Sequence, residues 1–250
     1  MKEKLSLAMD IGEQMLLCGA EVHRVEESIT RMCYALGAKR IDVFIITSSM
    51  VATFYLEDDE SYTQTRRILG SSTDFELLHR LNDLCRRICT QNMSVSEIRT
   101  ALKEALEHKT YPFWLEVICY AAIAGAFTLF FGGGWIEAAF SLLVGAVVRF
   151  VILLAERAVS NRVFPKFLSA ATATALAFCA LKLGWIPSVD KVIIGNIMSL
   201  IPGIGLTNAL RDLFTGDSIA GLLRSVEAAL IALAIAAGYF VVAMIGGFSL

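Results

Sequence analysis

From Asn196 to Glu227 the chain reads NIMSLIPGIGLTNALRDLFTGDSIAGLLRSVE, which places ionisable and amide side chains inside sequence otherwise apolar enough for a bilayer. Pro202-Gly203-Ile204-Gly205 interrupts the helical pattern, and a broken helix at membrane depth needs protein or a wet cavity to satisfy its open backbone groups. Half-helix ends made in this way can hold ions or anionic groups. Asn208 and Asp212 are four residues apart and Arg224 and Glu227 three, so each pair shares a helix face and the four could gather into one polar cluster. Arg149, about two turns inside the end of an apolar run, could pair with Asp212 or Glu227, or snorkel to the surface. Asn196, Pro202, Gly203, Asn208, Asp212, Arg224, Glu227 and Arg149 therefore form the candidate substrate or ion pathway. The competing reading is a Pro kink packed against a neighbouring helix, with Arg211, Asp212 and Asp217 in a wet turn between spans.

Other chemistry-bearing residues point to less. Glu116 and Glu137 fall near opposite span ends and read as interfacial rather than as proton relays. His23-x-x-Glu26-Glu27, with Cys18 and Cys33 on neighbouring turns, could suggest a metal or a hydrolase. The chain nevertheless has only three His, no HExxH, GxSxG or Walker motif, and no second Cys/His pair to complete Cys85/Cys89. No catalytic residue, metal or cofactor is expected.

The elements that must position these residues follow from composition. The chain is 56% hydrophobic and 18% charged, with a mean hydropathy of +0.63, which fits an integral membrane protein. Charge is concentrated before His108, and a net charge of -2 with no dense basic face argues against a nucleic-acid partner. Six Cys within predicted helices do not make a secreted disulfide framework, and the N-terminus lacks the apolar core of a cleavable signal.

A cytoplasmic α/β domain is expected over 1–111. A helical hairpin turns at Gly19, and three antiparallel strands follow at Asp42–Ser48, Met50–Leu56 and Tyr62–Ile68, with the polar DDES turn before the third. Two further helices carry the capping boxes Thr73-x-x-Glu76 and Ser94-x-x-Glu97. Their buried stripes are Phe75, Leu78, Leu81, Cys85, Ile88 and then Val95, Ile98, Leu102, Leu106.

Tyr111-Pro112-Phe113-Trp114 marks entry to a transmembrane domain over 112–250. Five spans are expected near 113–131, 135–155, 164–185, 190–210 and 220–247, with Gly132-Gly133-Gly134 as a tight turn. Arg157, Arg162 and Lys166 between spans two and three, and Arg211 and Arg224 around the joint of four and five, place those joints and the N-terminal domain in the cytoplasm of a cell whose inner or plasma membrane holds the chain.

The chain also resembles the threonine/serine exporter family, in its shorter subunit type. The resemblance runs through Gly19-Ala20-Glu21, Val25-Glu26, Tyr111-Pro112, Trp114 and Gly133-x-Trp135. It is densest at Pro202-Gly203-x-x-Leu206-x-Asn208-Ala209-x-x-Asp212-x-x-x-Gly216, continuing to Gly221 and Arg224. It implies export of small polar metabolites such as threonine and serine, or for the short type a dicarboxylate such as succinate. Secondary transport coupled to the proton gradient is the function expected. It also implies a separate small membrane partner or self-assembly as a homo-oligomer, within membrane lipid. Asn208 and Asp212 would hold substrate or a proton, the Pro202-Gly203 break would expose backbone, and Glu21 and Glu26 would have a role in the N-terminal domain. A membrane-anchored enzyme, and a scaffold or regulatory subunit, are the alternatives.

Overall fold

The computed structural model describes residues 2–56, 60–70, 72–107, 111–159 and 161–246. They divide into two compact units, Met1–Lys109 with Ile204–Ser225, and Thr110–Gly203 with Val226–Leu250.

The first unit opens with α1 (Lys2–Leu17) and α2 (Val22–Ala35). The turn between them is a Schellman closure: the Gly19 and Ala20 amides donate to the carbonyls of Leu16 and Met15, both at 3.1 Å. Gly19 sits at φ 88°, and a Cβ there would meet the Ser72 carbonyl oxygen at 2.9 Å, so glycine is required on two counts. Strands β1 (Arg40–Ile46), β2 (Ser49–Tyr55) and β3 (Ser61–Arg67) form an antiparallel sheet in that order, with Ile46 opposite Ser49 and Tyr55 opposite Ser61. Alternation sends Ile41 and Ile45 of β1, and Met50, Ala52 and Phe54 of β2, into a core with Met9, Ile11, Met15, Val22, Ile29 and Met32. The expected DDES turn lies partly outside the described residues.

Helices α3 (Phe75–Thr90) and α4 (Val95–Leu106) complete the core through Leu81 and Ile98. The Ser94/Glu97 capping box is present, whereas α3 is capped by Asp74 and not Thr73: the Leu77 amide donates to Asp74 Oδ1 at 2.9 Å. Phe75 is exposed, because six residues at about 100° each carry it well round the helix from Leu81, and the buried stripe passes through Leu77, Leu81, Leu84, Cys85 and Ile88. Leu106 is likewise exposed and Ala105 buried. To the same unit belong most of α9 (Gly203–Thr215) and the first turns of α10 (Ser218–Ile245). Those two helices approach closely, since a Cβ on Gly221 would lie 2.8 Å from the Ala209 carbonyl oxygen and from the Leu213 amide nitrogen.

The second unit is made of α5 (Phe113–Phe130), α6 (Trp135–Ala158), α7 (Val163–Lys182), α8 (Val189–Met198) and the remainder of α10. Pro112 stands just before the first helical residue of α5, where its missing N–H costs nothing. The α5–α6 joint closes at Gly132, φ 81°, as the glycine run predicts. A Cβ on Gly145 would lie 2.7 Å from the Tyr120 carbonyl oxygen and 2.8 Å from Ala124 Cβ, so α5 and α6 pack nearly backbone to backbone. Thr128 Oγ1, fully buried, donates to Ser141 Oγ at 2.7 Å across the same contact.

Helices α5, α6, α7 and α10 are each long and apolar enough to cross a membrane, and α8 with α9 qualifies only as a pair bent by 55° at its break. The expected fourth span, 190–210, is therefore two helices. The break falls at Ser199–Pro202, three residues earlier than the Pro-Gly-Ile-Gly reading placed it, and Gly203 and Gly205 lie in the first turn of α9. Proline fits there because a first helical turn has no use for the N–H it lacks.

Candidate functional site

Asp212, fully buried on α9, is the centre of the strongest polar constellation in the first unit. Helix α2 begins at Val22 with no side-chain cap from Glu21, leaving its first amide an orphan donor. Asp212 Oδ1 accepts that Val22 amide at 3.3 Å, so a carboxylate from far along the chain caps α2 and sits at the positive end of its dipole. Arg224, on α10, places Nη1 3.2 Å from Asp212 Oδ2 and donates from Nη2 to the Ala20 carbonyl at 2.8 Å. Asn208 Nδ2, one turn before Asp212, donates to the Gly19 carbonyl at 3.1 Å. Arg211 pairs with Glu21 at the exposed edge. The Gly19 and Ala20 amides are engaged inside the Schellman turn, and it is their outward carbonyls that Asn208 and Arg224 take up.

A second acidic group lies nearby. Glu26 Oε1 accepts the Ile45 amide at 3.0 Å, and burial pushes its carboxyl above the usual range, reinforced by Asp217 and opposed by the Ile45 amide and His23. Asp217 Oδ2 is buried without a hydrogen-bond partner among the described residues.

The pathway residues expected to gather do so only in part. Asn208, Asp212 and Arg224 converge. Glu227 does not join them: it belongs to the second unit and pairs there with Arg162 at 3.3 Å, both half-exposed. The boundary between the units crosses α10 after Ser225, and the three-residue spacing from Arg224 did not decide the partner. Arg149 pairs with neither Asp212 nor Glu227. Its Nε donates to Glu116 Oε2 at 2.8 Å and its Nη2 to the same oxygen, because antiparallel α5 and α6 bring residues 116 and 149 level. Asn196 is buried on α8 and turns its amide onto its own helix, Nδ2 to the Val192 carbonyl at 2.9 Å. Pro202 and Gly203 mark the break between α8 and α9. Glu137 is buried and accepts the Gly134 amide at 3.0 Å, a helix cap.

Sequence reasoning from spacing missed that the partner of the Asp212 region is the α1–α2 turn. The signal was available in another form, since the two motif stretches of the family resemblance, Gly19-Ala20-Glu21 and Asn208 to Arg224, are the two sides of this contact. Residues 6–246 match the family described as "Putative threonine/serine exporter".

The chain belongs to the threonine/serine exporter family. It is similar to the "Probable threonine/serine exporter" of Mycobacterium tuberculosis, 25% identical over 96% of this chain and 46% of that protein. The "Threonine/serine exporter" of Corynebacterium glutamicum is 22% identical over 94% of this chain and 49% of its own length. The chain thus spans about half the length of these two exporters. It covers 94% of the "Probable succinate transporter subunit YjjP" of Escherichia coli, at 24% identity over 96% of this chain. No solved structure matches. Family membership and its several span-length helices make this a multi-pass membrane protein.

Proposed function

We propose that this member of the family exports small polar metabolites, threonine, serine or a dicarboxylate such as succinate, across the inner membrane. In this reading the N-terminal domain, 1–111, faces the cytoplasm, the proton gradient drives export, and a small membrane partner or a second copy completes the path. The chain acts as a transporter and not as an enzyme. One observation carries the reading: Asp212 and Arg224 stand side by side with the α1–α2 turn's N–H on the carboxylate and its C=O on the guanidinium. A small zwitterion offers the same two kinds of group, an ammonium for Asp212 and a carboxylate for Arg224 and the Asn208 amide. Turn and substrate then compete for one set of partners, and departure of the turn opens the site. A dicarboxylate would use Arg224 and Arg211 and require a protonated Asp212, which is how proton uptake enters.

Efflux of labelled threonine, serine and succinate from proteoliposomes under an imposed pH gradient tests this. Wild-type protein should carry at least one of the three, and folded Asp212→Asn and Arg224→Gln proteins should lose that flux. Wild-type rates in folded Asp212→Asn would overturn the site, and no flux from assembled wild-type protein with its partner would overturn these substrates.

A further inference from the structure

A cavity of about 380 Å³ opens among α5, α6 and α7, wholly within the second unit. Arg149 and Lys166 bring two cations to it, Glu116 and Glu156 two carboxylates, and Tyr120 a phenol. The Arg149 guanidinium is only half satisfied. Its Nε and Nη2 both go to one oxygen of Glu116, its face rests near the rings of Phe113 and Tyr120, and its buried Nη1 has no acceptor among the described residues. Burying a charged donor without an acceptor is costly, so an oxygen brought into the cavity beside Arg149 would stabilise the guanidinium.

Most of the rest of the wall is apolar. Leu115, Cys119 and Ile123 repeat every four residues on one face of α5, and they run about 12 Å along the helix at 1.5 Å per residue. All three are exposed at the surface of the unit, so the trough is open along the side of an apolar helix. Charged groups thus sit beside an open apolar strip. A metabolite whose polar groups lie within a few ångströms of one another would leave the strip bare, whereas an amphiphile covers both parts.

We infer that this cavity binds one phospholipid with a zwitterionic headgroup bearing a primary ammonium, of the phosphatidylethanolamine type. Its phosphate pairs with the Arg149 guanidinium and Lys166, its ammonium donates to Glu156 or the second oxygen of Glu116, and an acyl chain lies along Leu115, Cys119 and Ile123. The charge count selects the headgroup: two cations balanced by two carboxylates suit a neutral lipid with a hydrogen-bonding ammonium better than a purely anionic one. A choline headgroup has no N–H for the carboxylates.

Native mass spectrometry of the full chain, taken from vesicles of dioleoyl phosphatidylethanolamine, phosphatidylglycerol and phosphatidylcholine in equal parts, reads the retained lipid. The expected result is one phosphatidylethanolamine per chain, with retention at least about tenfold lower in Arg149→Met, the scale of a lost charge-assisted hydrogen bond. Because Arg149→Met leaves Glu116 without its partner, Cys119→Trp serves as a second variant that fills the trough and keeps the ion pair. It should lose the lipid too, while Glu227→Gln retains it. Equal retention of all three lipids, no retained lipid, or unchanged retention in Cys119→Trp overturns the proposal. So does loss of bound labelled threonine or succinate in Arg149→Met without loss of lipid, which would make the cavity a metabolite site.

Discussion

Asp212→Asn, Arg224→Gln and the two together, made in the full chain, measure the bond that holds the α1–α2 turn. Arg224 Nη1 and Asp212 Oδ2 are 3.2 Å apart, with side-chain exposures of 13% and 1%. At that separation two unit charges attract by about 5 kcal/mol in an effective dielectric of about 20. Desolvating the two ions takes back much of this, and the Val22 amide and Ala20 carbonyl each restore a hydrogen bond to one of them. The net coupling expected is about 2–3 kcal/mol, against the roughly 0–1 kcal/mol typical of exposed pairs. Arg162–Glu227, half-exposed on both sides, is the internal comparison. Each single change should cost about 2–4 kcal/mol, since it strands the other charge, and the double change little more than one of them. The three Trp, 114, 135 and 185, all belong to the second unit, so a probe placed in the first unit itself is the one to use. Hydrogen exchange in a peptide covering Gly19 to Val22 reports it directly, and a coupling of this size accelerates exchange by roughly 30- to 150-fold. A coupling under about 0.5 kcal/mol, or unchanged exchange at Val22 in Asp212→Asn, would refute the reasoning.

Gly145→Ala forces a methyl against the backbone of α5, which cannot turn aside as a side chain could, and should destabilise the second unit by about 1–3 kcal/mol in a denaturant titration followed by Trp fluorescence. Glu26, its carboxyl held above the ordinary value of 4.5, binds its proton more tightly folded than unfolded, so its contribution to stability is full below that ordinary value and is lost as pH rises through the raised one. Glu26→Gln keeps an acceptor for the Ile45 amide and should gain stability over wild type at mildly alkaline pH, a gain that closes near pH 4; equal pH slopes for the two proteins would count against it. Burial pushes the thiols of Cys33 and Cys85 up to about 12 and that of Cys18 to about 11, so maleimide at neutral pH should label exposed Cys89 in the folded first unit and spare these three, as peptide mapping would read.

How much was legible in the sequence depended on the range of the interaction. Period, glycine placement and strand composition determined the helical hairpin, the antiparallel sheet, the Ser94 cap and the positions of α5, α6, α7 and α10, because these follow from local dihedral preference and from apolar patterning over a turn or two. Where two local signals competed, as with Thr73 and Asp74 for the α3 cap, the start of the helix moved by one residue. Buried polar side chains chose their partners by tertiary means. Asp212 was recognisable as costly to bury, yet only the fold could show it capping α2 some 190 positions away. Arg149 was recognisable as a charge inside a span, but the antiparallel register of α5 and α6, set by the close approach at Gly145, gave it to Glu116. Glu227 shares a helix with Arg224 and still answers to Arg162. A sequence states which charges must be neutralised; which groups neutralise them is decided by where packing brings distant backbone and side chains together.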